Sequence, residues 1–145
     1  MAFAHLLALA IGFGAIHVRA RGLLAGTETG RRVALAADAW WGVAALLWLG
    51  TGLARALGGL EKGSAYYLDS PEFLAKMALF AGIVALELWP MIVLIRWRIA
   101  LRQGRAPDTS QATRLGWISH VQTLLLVAML LLATALARGV PLLER

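Results

Sequence analysis

Cysteine is absent from the 145 residues, and with it go disulfide scaffolds, thiolate zinc sites, iron-sulfur clusters and cysteine nucleophiles. Charge is scarce as well. Only 15% of residues are charged against 60% hydrophobic, and a water-soluble domain carries nearer a quarter. A mean hydropathy of +0.72 points the same way: the chain is built for lipid. No G-x-x-x-x-G-K-[ST], H-E-x-x-H or G-x-S-x-G occurs, and neither Ser64 nor Ser119 has the setting of an activated nucleophile. The net charge of +6 suggests nucleic acid only until the positions are read. The basic residues are nearly all arginines beside apolar runs, which is a membrane-orientation pattern and excludes a nucleic-acid role.

Four apolar stretches, residues 2–18, 39–57, 74–95 and 116–137, each approach the ~20 residues that cross a ~30 Å hydrocarbon layer as a helix. The first lacks a basic stretch ahead of its apolar core and reads as a retained helix rather than a cleaved signal. No strand alternation competes, so the expected fold is all-α: one domain over 1–145, an up-down four-helix membrane bundle. Nine Lys and Arg fall in the first and third connections and five elsewhere, which places those two connections in the cytoplasm and both termini outside. Trp97 and Trp117 fall near that inner boundary; Trp40, Trp41 and Trp89 suit interfacial or packing roles. Gly12, Gly14, Gly42, Gly50, Gly52 and Gly82 offer surfaces for close helix approach, within the bundle or in a homo-oligomer. Asp108-Thr109-Ser110 is a start signal for the fourth helix, and Ser70 before Pro71 and Glu72 is one for the third.

Ionisable groups inside spans carry the functional information, because each costs roughly 2.5–3.5 kcal/mol at a helix centre. His5 and Lys76 share the outer level of helices one and three, and Lys76, Phe80, Ile83 and Glu87 share a face. A neutral imidazole and a deprotonated amine would be a ligand pair for haem iron, with Arg55 and Lys62 at the same level to neutralise propionates. The competing reading has Lys76 snorkelling beside Asp69 or Glu72 while His5 bonds a carbonyl. A second pair, His17 and His120, shares the inner level; Arg19, Arg96, Arg98 or Arg114 could meet propionates there, or His120 could be an ordinary hydrogen-bonded side chain. Glu87 precedes Pro90 by three residues and is read either as a proton or cation site or as a carboxyl bonded to Thr51 or another neighbour. Asp38 is read as the N-cap of helix two, paired with an arginine.

The run Thr51-Gly52-Leu53-Ala54-Arg55, then Lys62-Gly63-Ser64-Ala65-Tyr66-Tyr67, then Pro71-Glu72-Phe73-Leu74-Ala75-Lys76-Met77-Ala78-Leu79-Phe80 resembles an uncharacterised bacterial family of small membrane proteins over essentially the whole chain. That family is similar in architecture to CopD-like copper-resistance membrane domains and HemJ-type protoporphyrinogen oxidases. In the HemJ type an early-helix histidine and a lysine opening the third span are implicated in haem binding. The resemblance puts those roles on His5 and Lys76. It implies an integral membrane protein that binds haem b in a redox or electron-transfer role, with a quinone or other redox partner, in a bacterial inner membrane. Whether such a protein is itself a haem-dependent oxidoreductase stays open. A non-enzymatic scaffold or accessory subunit is a second reading. Copper handling of the CopD type is a third, although His5, His17, His120 and Met1, Met77, Met91 and Met129 form no tight cluster in sequence.

Overall fold

The computed structural model describes residues 2–57 and 71–138. Four helices make it up: α1 Ala2–Leu24, α2 Glu28–Leu57, α3 Pro71–Arg102 and α4 Ala112–Arg138. All four are long and apolar enough to cross a membrane. Among the described residues there is no strand. Each helix outruns the apolar stretch that marks it in the sequence, most of all α2, which begins at Glu28 rather than near Ala39. Arginine ends a hydropathy run without ending a helix, since it is a good helix former.

The two connections at the arginine-rich end use glycine where the backbone turns left-handed. Gly26 has φ +65° and ends α1, and Thr27 then caps α2 by accepting the Gly30 N–H at 3.0 Å. Gly104, with φ +69°, closes α3; the Arg105 and Gly104 N–H groups return to the carbonyls of Ala100 (2.9 Å) and Leu101 (3.1 Å). Asp108 accepts the Ser110 N–H at 3.0 Å, and α4 starts two residues later. That backbone bond, and after it the Ser110 side chain, hold the exposed Asp108 carboxyl below the usual carboxylate range. Their contribution to the turn is complete above the ordinary carboxylate range and is lost as the pH falls through the lowered value.

Neighbouring helices run antiparallel. Gly12 lies against Trp41 and Ala44, and Gly52 against His5 across α1 and α2. Trp48 meets Phe80 across α2 and α3, Gln122 meets Ile83 across α3 and α4, and Gly116 meets Leu24 across α4 and α1. The inward residues repeat at three and four: Ala8, Gly12, Ile16, Arg19 and Leu23 on α1; Ala34, Asp38, Trp41 and Trp48 on α2; Ile83, Pro90, Leu94 and Trp97 on α3; Leu115, Ser119, Gln122, Leu126 and Met129 on α4. That spacing is the seam of a left-handed bundle. The outward face is apolar, with Leu46, Leu124, Leu131 and Trp40 exposed, as a lipid-facing surface requires.

Lipid gives apolar helices little reason to associate, so small residues and polar bonds must hold the bundle together. The tightest backbone approach is at the α1–α2 turn, where a Cβ on Gly30 would lie 2.5 Å from the Gly22 carbonyl oxygen. Gly30→Ala is therefore expected to cost about 1–3 kcal/mol in denaturant unfolding from detergent. Gly42→Ala meets nothing within 4 Å and should be neutral or slightly stabilising through helix propensity. Of the six glycines singled out in the sequence, Gly12 and Gly52 make close contacts, whereas Gly14, Gly42, Gly50 and Gly82 face open space.

Candidate functional site

Arg19 lies five residues, about 7 Å, from the end of α1, on the buried stripe of that helix, and is 0% exposed. Its guanidinium is the centre of a network drawn from all four helices. Nε donates to Ser119 Oγ at 3.1 Å; one terminal nitrogen donates to Asp38 Oδ1 and Glu87 Oε1, each at 2.7 Å; the other donates to Glu87 Oε2 at 2.8 Å and Gln122 Oε1 at 2.9 Å. The five guanidinium N–H groups thus meet five acceptors. Arg98 approaches the second oxygen of Asp38 at 2.8 Å and also donates to the Leu35 carbonyl. Gln122 uses its amide to reach Glu87 Oε2 at 2.8 Å and the Ile83 carbonyl. Two arginines and two carboxylates cancel, so the bundle interior carries no net charge at this level. Saturation of the donors offsets the desolvation that would otherwise make such a group prohibitive.

This network bears on three expectations and corrects two of them. Asp38 is not an N-cap, since α2 begins ten residues earlier, but its carboxylate does pair with arginine, with both Arg19 and Arg98. Glu87 is bonded to neighbours other than Thr51, namely Arg19 and Gln122, which falls within the second of the two readings given for it. Arg19 itself, read as a cytoplasmic loop charge, is inside the first helix and turned inward. Its register with Ile16, Ala20 and Leu23 was the available signal, as was that of Gln122 with Ser119 and Leu126.

A second constellation occupies the outer half. His5 Nδ1 lies 2.9 Å from Thr51 Oγ1, and the Thr51 hydroxyl donates to the Leu47 carbonyl at 2.7 Å, with the Trp48 carbonyl at 3.1 Å. A hydroxyl has one proton. Spent on the backbone, it leaves Thr51 able to accept a hydrogen carried on His5 Nδ1. The His5 ring stacks on Trp48 with centroids 5.7 Å apart, and Trp48 meets Phe80 edge-on at 5.6 Å. Trp48, absent from the sequence-derived candidates, is 8% exposed, and its indole N–H has no acceptor among the described residues. Lys76 lies on α3 one turn before Phe80, half-buried. Arg55 is in the last turns of α2, but its side chain, like Lys62 and the rest of the second connection with its tyrosines and Ser70, lies outside the described residues.

The inner histidines do come together. His17 and His120 pack edge to face with centroids 5.9 Å apart, and Trp117 lies 5.8 Å from His120. Among the described residues no group of three or more His, Asp or Glu side chains is clustered as a metal site. Trp97 is buried between Leu94 and Leu115, whereas Trp117 is exposed.

Neither a curated protein nor a solved structure matches the chain. A family model described as a predicted membrane protein, DUF2214, matches residues 1–141. Four apolar helices and a largely apolar outer surface agree with that description, and the chain belongs to the DUF2214 family of membrane proteins.

Proposed function

We propose that the protein binds haem b in the outer half of the bundle, with a redox or electron-transfer role, His5 Nε2 supplying one axial ligand and Lys76 the other. The observation that supports this most directly is the Leu47–Thr51–His5 hydrogen-bond chain. With the Thr51 proton on the backbone, a hydrogen on Nδ1 would turn Nε2 to the iron, in the way outer-shell partners orient metal-bound histidines. Haem would supply reversible one-electron chemistry. The chain's own part would be to orient His5 through Thr51 and to exclude water with Phe80. Arg55 and Lys62 would meet the propionates from the outer side.

Donor chemistry fits this group better than present space does. The crease below His5, lined by Ala8, Gly12, Trp41, Ala44, Trp48 and Leu126, does not admit a water molecule. The indole of Trp48 fills the region between His5 and the Phe80 face of α3. A porphyrin slot therefore requires Trp48 to turn away, and α2 and α3 are the least closely packed neighbouring pair. The Arg19 network would keep the inner half fixed while the outer half adjusts. The test is the visible spectrum of detergent-purified protein, oxidised and dithionite-reduced, with a pyridine haemochrome assay. A Soret band and sharp reduced bands are expected; their absence after expression with ample haem would overturn the reading.

The saturated Arg19 network favours a second reading, a non-enzymatic scaffold or accessory subunit. Each guanidinium N–H is already used within the chain, so the network serves assembly without needing a ligand.

A further inference from the structure

His17 and His120 are the remaining imidazoles, and the outer-site reading uses neither. They sit on facing helices at the arginine-rich end, His17 exposed and His120 half-buried, with no nitrogen of either ring hydrogen-bonded among the described residues. Half-burial without a polar partner is unfavourable for an imidazole unless something else engages it. The backbones that carry them are held together on both sides. Arg19 bonds Ser119, next to His120, and Gly116 lies against Leu24 one turn further on.

We propose that His17 and His120 form a two-histidine site for a divalent transition-metal ion, bridging α1 and α4. An ion 2.0–2.1 Å from a nitrogen of each ring sets the ring centroids about 5–6 Å apart. The observed 5.9 Å is of that order, so the two rings already stand at the separation that a shared ion would require. Imidazole suits copper, nickel and zinc, and Cu²⁺ binds most tightly in that series. Other charged groups near the pair are cationic. Arg21, exposed one turn from His17, lies toward the helix end; Arg19 is turned inward onto its carboxylates; Arg114 lies over the Trp89 ring at 5.5 Å. No carboxylate of the described chain completes a third corner. The open positions are left to water, which makes the site an exchangeable one suited to taking up and passing on an ion rather than storing it. This inference is independent of the haem reading.

Trp117, whose ring is 5.8 Å from His120, supplies a reporter, because a paramagnetic ion at the pair quenches its emission. Chelator-stripped, detergent-purified full chain is titrated with Cu²⁺ while tryptophan fluorescence is followed. One saturable quenching phase is expected. Trp117→Phe should remove most of its amplitude, and His17→Gln or His120→Gln should each weaken it at least tenfold, the double variant adding little. His5→Ala should retain it. The Cu²⁺ electron paramagnetic resonance spectrum should show two coordinated imidazoles in the wild type and at most one in either single variant, with circular dichroism confirming intact helices. Equal quenching in both histidine variants, or ligation that follows His5 instead, would mean an adventitious ion only and would overturn the proposal.

Discussion

Arg19→Ala is expected to lower stability by about 3–5 kcal/mol, the loss incurred when one partner of a buried ion pair is removed. Two carboxylates depend on this guanidinium. Glu87 gives both its oxygens to Arg19 and retains only the Gln122 amide when the arginine is gone. Asp38 keeps Arg98. Ser119 and Gln122, both fully buried, each lose a donor as well. The guanidinium touches every other helix, so its loss loosens the whole inner half rather than one interface. Arg19→Lys should recover only part of the deficit, because an ammonium has three donors where the fork has five. Unfolding of the purified variants by denaturant in a fixed detergent measures the effect. A loss below about 1 kcal/mol would show that the network contributes no more than an exposed ion pair.

Loss of the haem spectrum in His5→Ala is the other large effect expected, on the haem reading. Removing the imidazole deletes an iron ligand, whereas His17→Ala and His120→Ala leave the outer half untouched and should leave the Soret band in place. Lys76→Ala should shift the spectrum or abolish it by exchanging the second ligand. Thr51→Val separates ligation from mere packing. It retains the side-chain shape but removes the hydroxyl that meets His5 Nδ1, so the imidazole loses that hydrogen bond while remaining available as a ligand. Haem occupancy should then fall and the reduction potential should move while helix content stays constant. If Thr51→Val matches the wild type in both, the hydrogen-bond chain has no orienting role. A spectrum that survives His5→Ala and disappears with His17→Ala or His120→Ala would transfer the haem to the inner pair.

The bundle was legible because lipid restricts the choices: long apolar runs can only be helices, and arginines beside them mark one end. The length of α2 was not legible, since a run such as Glu28-Thr29-Gly30-Arg31-Arg32 carries loop composition although its backbone is helical. Arg19 was misplaced for a related reason. Orientation counting treats each arginine as a boundary charge and ignores its face, while the partners of Arg19 lie 19, 68, 100 and 103 positions away in sequence. Only the antiparallel registers bring Asp38, Glu87, Ser119 and Gln122 together. His5 and Lys76 stood out by chemistry alone. Thr51 and Trp48, which set the surroundings of His5, are ordinary helix residues until α2 is laid against α1. The contact of His17 with His120 likewise needed the α1–α4 register, although matched depth hinted at it.

The charges buried in this bundle are held to be one another's partners, and the coupling between Arg19 and Glu87 tests that most directly. Arg19→Met, Glu87→Leu and the double variant form a cycle in which the double leaves Asp38 and Arg98 as an intact neutral pair. The double variant should be far more stable than the summed losses of the singles require, with a coupling energy of about 2–3 kcal/mol. Additive losses would contradict the account, because they would mean that each charge is sustained by something other than the opposite one.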